Sequence, residues 1–493
     1  MESFDLVVHN LKSELDEMLQ IHGLNSGERG IPFSTLARAS HFLDELRMWG
    51  IDALSRAHLV EVCAQLHGQL GLTVEQMGSI GIPADLLEFF PGWRDGVSDG
   101  FAPRRPGYQL TTSAAGCPMS VLRLQLSPFS VTVSAALLLL KRLLECLDED
   151  VHFHVAIEPE GNVEEFESIV STFHSSANNR VQFFRLRTAS IFAQDNARGI
   201  IAQDGNPAIL LPRGFRASRA RANDELHAQK SDLLFGFTPY VSQLYWEGGN
   251  ILSDGHNIFV GADAITENMV RLGLTEAEVR QLFCAEFDGA LHFLGRVHRD
   301  HFISSDKQIG NTGQASFHLD LDLSLLGAVG DDGGRKALLA SPELGLQVAD
   351  EVLNEKRMVA EHYLSERDAA VKIRSDYREY ADRRLPALQE YRELLQSLEY
   401  EVVEVPDLRM DPSRNLFSTR NLDLNYCNIL PGLVKGVPSI VYLPYGLPVI
   451  DQLASSAYRK AGCHPVPLSQ FGRLANLLML FRGGLRCSCS QVY

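Results

Sequence analysis

The spacing of apolar residues divides the chain into two regions. From residue 1 to about residue 90, apolar side chains recur every three or four positions, as in Leu11, Leu15 and Leu19. This spacing is typical of amphipathic helices. It predicts about four or five short helices in a separate N-terminal helical domain. A Pro- and Gly-rich linker follows and ends at residue 107.

Beyond residue 107 the pattern changes. Short runs rich in β-branched and aromatic residues, such as 151–159 and 257–262, alternate with longer helical stretches, such as 134–147 and 275–287. Strands that alternate with helices are typical of α/β folds. We therefore predict an α/β domain over residues 108–493.

A charge-rich stretch interrupts this alternation between residues 335 and 398. Lys, Arg, Asp and Glu are scattered there among Leu and Ala, which predicts a solvated helical insertion or hairpin. A helical lid over an active site is the alternative interpretation. The α/β pattern returns after Pro406 and continues to Tyr493.

Composition narrows the classes of function. The 493 residues include 45 Lys and Arg against 62 Asp and Glu, and the net charge of −17 opposes binding to nucleic acid. The eight Cys residues have no regular spacing, which favours free thiols in a reducing compartment, so we expect a cytoplasmic protein. The most apolar stretch, 131–140, is too short to cross a bilayer. We expect a buried helix there and no membrane association.

Four segments of the α/β region carry residue types that are suited to catalysis. The first contains Asp195, which follows a strand-like run. The second is the sequence WEGGN at 246–250, where two glycines allow a sharp bend between an acid and an amide. Taken singly, each segment is typical of an ordinary turn.

The third segment places His318 and Asp320 two positions apart. On a strand this spacing directs both side chains to the same face, where the carboxylate raises the pKa of the imidazole and orients it for proton transfer. The fourth segment has Gly483 and Gly484 before Cys487. A tight turn there presents the thiol to a cleft, and nearby Arg side chains are expected to favour the thiolate.

Cys489 is the alternative nucleophile, because a shift of two residues along a strand keeps a side chain on the same face. The spacing of Cys487 and Cys489 does not match that of structural zinc ligands, so we expect no metal site. The chain also lacks EF-hand, P-loop and dinucleotide-binding motifs, and no cofactor is expected.

Together and in this order, the four segments resemble those of the guanidine-modifying enzymes. This pentein superfamily includes agmatine deiminases, arginine deiminases, peptidylarginine deiminases and amidinotransferases. The resemblance covers residues 116–493 and extends to VYLPYG at 441–446, which is similar to the penultimate module of the superfamily. It implies a five-bladed α/β propeller of ββαβ modules around a polar channel. The N-terminal helical domain and the helical insertion would be additions to this fold.

The resemblance also implies roles for individual residues. Cys487 would be the nucleophile, and His318 the general acid and base. Asp195 and Asp320 would hold the substrate guanidinium between them. A further set of residues would contribute to substrate binding: Trp246, Glu247, Asn250, and either Arg213 or Arg216.

The implied activity is hydrolysis of a guanidino group on arginine, an arginine-like compound or peptidyl arginine. The reaction would pass through a covalent thiouronium and give a ureido product and ammonia. An amidinotransferase that needs an amine acceptor is one alternative, and a non-catalytic binding protein of the same fold is another. Residues 261–266 lack the acid-Arg-Thr signature of arginine deiminases, which argues against free arginine. The N-terminal helical domain could mediate a homo-oligomer or bind a protein partner.

Overall fold

The computed structural model describes residues 107–112, 114–126, 130–157, 163–185, 192–202, 205–213, 237–297, 314–329, 333–349, 351–352, 367–409, 423–468 and 484–491. The predicted N-terminal helical domain and its linker lie outside these residues, except for residue 107. Among the helices of these ranges, none combines the length and the apolar content that a bilayer span requires.

Short strands with buried side chains form the framework of the described residues. They are β1 (Gln109–Leu110), β2 (Val121–Gln125), β3 (His152–Ile157), β4 (Val181–Arg185), β5 (Arg198–Ile201), β6 (Pro207–Leu211), β7 (Thr238–Val241), β8 (Ile251–Ser253), β9 (Asn257–Gly261), β10 (Ala290–Leu294), β11 (Leu323–Ala328), β12 (Arg335–Ser341), β13 (Glu401–Leu408), β14 (Leu424–Asn425), β15 (Leu430–Val434), β16 (Val437–Tyr442), β17 (His464–Pro467) and β18 (Ser490–Gln491). The strands predicted within 151–159 and 257–262 are confirmed as β3 and β9.

The helices of the described ranges are α1 (Ser130–Cys146), α2 (Val163–Ser171), α3 (Ala177–Arg180), α4 (Ala262–Leu272), α5 (Glu276–Glu286), α6 (Pro342–Gln347), α7 (Arg367–Ser397), α8 (Pro448–Lys460) and α9 (Leu485–Ser488). Local sequence determines several helix ends. Thr275 and Glu278 form a capping box at the start of α5, and Gly273 adopts φ 68° at the end of α4. The apolar stretch 131–140 lies within α1, as predicted.

The described strands form five sheets that share one pattern of pairing. In each sheet a first strand pairs antiparallel with a second, and the second pairs parallel with a third. These triplets are β5-β6-β7, β8-β9-β10, β11-β12-β13, β15-β16-β17 and β18-β2-β3. Parallel neighbours need a crossover, which α1, α4 with α5, α6 with α7, and α8 provide in four of the sheets. The predicted α/β class is confirmed by this alternation.

The structure corrects the helical insertion predicted between residues 335 and 398. Its first residues form the buried strand β12, which lies between β11 and β13. The crossover helix α7 buries Tyr377, Leu388, Tyr391 and Leu395 in the same hydrophobic core as this sheet. The charged residues of α7 alternate with these apolar positions, so one face is solvated and the other is packed. The described part of this stretch therefore belongs to the α/β framework. The division of the chain at residue 107 stays a prediction.

Candidate active site

The candidate residues lie in five short turns, each just before the first strand of a triplet. The turns precede β5, β8, β11, β15 and β18. They contain, in that order, Asp195, Glu247, His318 with Asp320, Asn428, and Cys487. Because the five sheets share one pairing pattern, these turns occupy equivalent positions in it. This placement brings together residues that are far apart in the sequence.

His318 has a carboxylate near each nitrogen of its ring. Its Nε2 lies 2.6 Å from Glu247 Oε2, and its Nδ1 lies 3.9 Å from Asp195 Oδ1. All three residues are buried. Burial by itself would lower the pKa of His318, but the charges of Asp195 and Glu247 outweigh it and raise the pKa well above its ordinary value. The side chain is therefore an imidazolium at neutral pH.

Cys487 lies within the same cluster. Its Sγ accepts a hydrogen bond from Asn428 Nδ2 at 3.2 Å and lies 3.7 Å from Asp320 Oδ2. Burial, followed by the charge of Asp320, raises the pKa of Cys487 to about 11. The group is therefore a thiol at neutral pH before substrate binds. Arg486 interacts favourably with the ionised sulfur, but desolvation of Cys487 outweighs this effect, so the thiolate is not favoured before substrate binds.

Backbone and side-chain hydrogen bonds complete a cycle of contacts among the five turns. Three bonds link neighbouring turns: Gln194 N–H to Cys487 O at 3.1 Å, Gly248 N–H to Asp195 O at 3.2 Å, and Asn425 Nδ2 to Leu321 O at 2.6 Å. The contacts of His318 with Glu247 and of Asn428 with Cys487 supply the remaining links. Each turn therefore touches two others.

Two buried arginines add positive charge beside Asp320. Arg198 begins β5, and Arg486 lies in α9 directly before the candidate nucleophile. Burial lowers the pKa of both, and repulsion by Arg486 contributes to lowering that of Arg198 to about 9. Burial also raises the pKa of Asp320, which the charges of His318 and Arg486 oppose. The three carboxylates of the cluster are thus accompanied by three protein cations.

Gly248 and Gly249 provide the space in which three of the turns meet. A Cβ on Gly248 would lie 2.1 Å from Gln194 O, and a Cβ on Gly249 would lie 2.5 Å from His318 Nδ1. Both distances are far below van der Waals contact. The two glycines are therefore required by close approach to neighbouring groups.

A buried cluster of ion pairs supports the turn before β11. Asp322 Oδ1 accepts hydrogen bonds from Arg384 at 2.7 Å, Arg409 at 2.6 Å and Ser316 at 2.8 Å. Asp407 accepts from the same two arginines at 2.5 Å and 2.6 Å. Arg384 belongs to α7, so this crossover helix reaches the turn that carries the candidate acid and base.

Two residues that were predicted to bind substrate make contacts within the protein framework. Trp246 is buried in a hydrophobic cluster, and its Nε1 donates to Ser242 Oγ at 3.0 Å. The Asn250 amide is used at both ends, because Nδ2 donates to Phe317 O at 3.0 Å and Oδ1 accepts from Gln314 Nε2 at 2.8 Å. Asn250 therefore braces the segment that leads to His318.

Arg213, Arg216 and Cys489 were also candidates in the sequence. Arg213 is half-buried, with its guanidinium 5.6 Å from the ring centroid of Tyr245, so its side chain packs on an aromatic ring. Arg216 lies outside the described residues. Cys489 is buried in the main hydrophobic core, which leaves Cys487 as the better candidate nucleophile.

His318 and Asp320 do not lie on a strand. The backbone makes a 3₁₀ turn over Leu319–Leu321 before β11 begins, with His318 extended just ahead of it. The turn still directs both side chains into the cluster, because one donor atom each from His318, Asp320 and Cys487 all lie within 4.8 Å of one another.

These three donor types could also hold a metal ion such as zinc. Metal binding needs a neutral imidazole and a thiolate. The raised pKa values of His318 and Cys487 oppose both forms at neutral pH. The expectation that the protein uses no metal stays a prediction.

Sequence reasoning missed two members of the cluster, Asn428 and Arg198, and it included Arg486 only among the arginines near Cys487. Asn428 belongs to no recognised motif. The signal that marks it is its place before β15, which matches the places of Asp195, Glu247, Asp320 and Cys487 before their own strands. This signal becomes visible only when the strand boundaries are known.

Comparisons with known proteins give matches among solved structures. No protein-family profile and no curated protein matches the chain. A Porphyromonas gingivalis structure, provisionally described as an arginine deiminase, is similar over 78% of this chain and 97% of its own, with a TM-score of 0.51 and 15% identity. A structure provisionally described as an agmatine deiminase is similar over 78% of this chain and 95% of its own, with a TM-score of 0.50 and 12% identity. The agmatine deiminase of C. jejuni is similar over 80% of this chain and 98% of its own, with a TM-score of 0.48 and 15% identity.

The first two similarities establish the fold. The chain has the α/β fold of these two solved structures, which agrees with the α/β fold class that the sequence resemblance implied. The low identities leave the activity to be argued from the geometry of the site.

Proposed function

We propose that the protein is a cysteine-dependent hydrolase of a guanidino group on arginine, an arginine-like compound or peptidyl arginine. The observation that carries this proposal is the convergence of an imidazole, a cysteine sulfur and three carboxyl groups in one buried cluster. Its members are Asp195, Glu247, His318, Asp320 and Cys487. Hydrolysis of a guanidinium needs carboxylates that accept its paired N–H groups, a sulfur nucleophile and a proton donor.

Asp195 and Asp320 are the carboxylates that we assign to the substrate. Asp320 Oδ1 is buried and accepts no hydrogen bond from the described residues. Glu247, by contrast, is engaged with His318, so we assign it to holding the imidazole. A planar guanidinium between the two aspartates would have its central carbon fixed beside Sγ of Cys487.

Substrate binding would supply the charge that ionises the thiol. The three carboxylates are already accompanied by three protein cations, and the substrate adds one positive charge beside Sγ. This charge lowers the pKa of Cys487 from its value of about 11. The proton leaves to solvent, and the thiolate attacks the guanidinium carbon to form a C–S bond.

His318 then acts first as an acid and afterwards as a base. It protonates the departing nitrogen, the C–N bond breaks, and ammonia leaves a thiouronium on Cys487. The neutral imidazole takes a proton from a water molecule that attacks the same carbon. The C–S bond breaks and the hydroxyl proton leaves to solvent, which restores the thiolate and releases the neutral ureido product.

The five sheets, in this proposal, are the blades of a five-bladed propeller. Two observations support this arrangement: the shared pairing pattern of the sheets and the closed cycle of contacts among the turns. The turns would then surround the substrate channel. Residues 1–107 would form a separate helical domain outside the propeller.

Intact mass spectrometry tests the proposed activity. The protein is incubated with arginine, agmatine, an arginine peptide and a haloacetamidine, and ammonia and ureido groups are assayed. We expect an adduct on Cys487 and ammonia from at least one guanidino compound. The Cys487→Ser variant should give neither.

Two results would contradict this function. Absence of both adduct and ammonia with all compounds would favour the non-catalytic alternative. An adduct without ammonia, together with a new guanidino compound that forms only with an added amine, would identify an amidinotransferase.

A further inference from the structure

Asn428 contacts Cys487 through both ends of its amide. Its Nδ2 donates to Cys487 Sγ at 3.2 Å, and its Oδ1 accepts from the backbone N–H of Cys487 at 3.2 Å. A backbone N–H can only donate, so Oδ1 must face it and Nδ2 must face the sulfur. The orientation of the amide is therefore determined by its partners, and the group next to the sulfur is a donor.

The backbone of Asn428 is itself anchored. Its N–H donates to Asn425 Oδ1 at 2.9 Å, and Asn425 Nδ2 donates to Leu321 O at 2.6 Å. Leu321 directly follows Asp320. The turn that carries Asn428 is thus tied to the turn that carries the candidate acid and base, and the amide reaches the sulfur from a fixed position.

The close packing of Gly484 on Asn428 is an independent indication that the contact between Asn428 and Cys487 depends on the local backbone. A Cβ at position 484 would lie 2.5 Å from Asn428 Oδ1 and 2.7 Å from Asn428 Cβ. No side chain fits in that space, so the backbone before Cys487 packs directly on the Asn428 side chain. The absence of a side chain at Gly484 thus leaves the space that the Asn428 side chain occupies.

We infer that Asn428 is a positioning residue that sets the direction of Cys487 Sγ and stabilises its thiolate through the Nδ2–H donor. The inference rests on the proposed role of Cys487 as nucleophile. A thiolate accepts a stronger hydrogen bond than a thiol does, so the contact favours the ionised form. The second hydrogen bond, from the backbone N–H of Cys487 to Asn428 Oδ1, keeps the amide in place beside the sulfur.

Alkylation of Cys487 by iodoacetamide tests the inference without a guanidino substrate. The rate is followed by peptide mass spectrometry from about pH 7 to about pH 10, where it tracks the thiolate fraction. Asn428→Ala removes the donor and opens space around Sγ, and Asn428→Asp keeps the shape but replaces the donor with a negative charge. We expect the rate at each pH to fall about tenfold in the Ala variant, and further in the Asp variant.

Steric effects cannot explain such a result, because the Ala variant gives the reagent more room. Gly484→Ala provides a third variant, which should also slow alkylation because it displaces the amide. Asn257→Asp is the matched control. Its side chain is buried against Tyr400 and His292, outside the cluster around Cys487, so the rate at Cys487 should not change in the folded variant.

A wild-type alkylation rate in a folded Asn428→Asp variant would overturn the inference. Folding is checked by circular dichroism and thermal unfolding. If the rates fall as expected but no guanidino compound is hydrolysed, the positioning role stands and the proposed function fails. If a guanidino compound is hydrolysed but the alkylation rates of the variants are unchanged, the proposed function stands and the positioning role of Asn428 fails.

Discussion

Glu247 and His318 form a buried ion pair with 2.6 Å between Oε2 and Nε2. The pair joins the turn before β8 to the turn before β11, and the other ring nitrogen, Nδ1, lies 3.9 Å from Asp195 Oδ1. One nitrogen of the imidazole is thus held by a carboxylate, which leaves Nδ1 as the nitrogen that would transfer the proton in the proposed reaction.

Glu247→Gln should weaken the proton donor. The substitution keeps the shape of the side chain but removes the charge that helps to raise the pKa of His318. The protonated imidazole would then be lost at lower pH, so the alkaline limb of the pH profile of kcat should move down by about 1 to 3 pH units. Ammonia release measured across pH gives this profile.

Glu286→Gln is the control for that prediction. Glu286 is equally buried but accepts from Gln243 N–H at 3.2 Å, in a part of the sheet framework remote from His318 in sequence. Its variant should keep the wild-type profile. Identical profiles for all three proteins would show that Glu247 does not hold the acid.

Cys487→Ala and Cys489→Ala should separate the two candidate thiols. Loss of the nucleophile should reduce turnover by at least about a thousandfold. Cys489 lies in the hydrophobic core, so its replacement should cost about 1 kcal/mol of folding stability and leave turnover largely intact. Steady-state assays and urea unfolding of both variants measure these effects. An inactive Cys489→Ala variant beside an active Cys487→Ala variant would reverse the assignment.

Neutral and cationic reagents should react with Cys487 at different pH. Because burial raises the pKa of Cys487 to about 11, modification by neutral iodoacetamide should accelerate up to that pH. A haloacetamidine carries the positive charge of a substrate, which favours the thiolate, so its rate should rise at lower pH. Peptide mass spectrometry measures the rate of Cys487 modification by each reagent across pH. Parallel pH profiles for the two reagents would exclude ionisation of the thiol by the substrate charge.

The sequence revealed the members of the site that belong to motifs. Asp195, His318, Asp320 and Cys487 were predicted, and the structure brings them together in one cluster. Motif spacing does not reveal which side chain a carboxylate contacts, so the engagement of Glu247 with His318 became visible only in three dimensions. The same holds for Trp246 and Asn250, whose neighbours come from other parts of the chain.

The fold was predicted least well where charge and burial coincide. Residues 335–398 are rich in charge, which is typical of solvated helices. The buried arginine of α7, Arg384, is matched by Asp322 and Asp407, which lie on other elements. A linear sequence does not show which charged side chains are paired and buried. The charge-rich composition of the crossover helix was therefore interpreted as that of a solvated insertion.

Gly249→Ala should impair catalysis through a steric effect on His318. The new Cβ would lie 2.5 Å from Nδ1, so the imidazole must shift away from its partners. A displacement of this kind should reduce kcat about a hundredfold. Gly116→Ala is the matched control, because its Cβ would lie 3.5 Å from Ala328 O, an ordinary contact. Equal activity of the two variants would contradict the prediction.

Arg384→Met should destabilise the protein. It leaves Asp322 and Asp407 with one fewer cation in a buried place, which should cost about 3 to 5 kcal/mol. Urea unfolding measures the loss. Arg378→Met, at an exposed position of the same helix, should change stability little. Similar losses in both variants would mean that the buried ion pairs contribute little.

The closed cycle of turns has a consequence for the order of folding events. Its links join residues that are very distant in sequence, such as Gln194 with Cys487 and Asn425 with Leu321. Contacts of this kind form slowly, because each requires the closure of a long loop. The helices and most strand pairs can form from nearby segments, with the pairing of β18 and β2 as an exception, whereas the cycle needs contributions from all five sheets. In refolding experiments, recovery of a reactive Cys487 should therefore lag behind recovery of secondary structure.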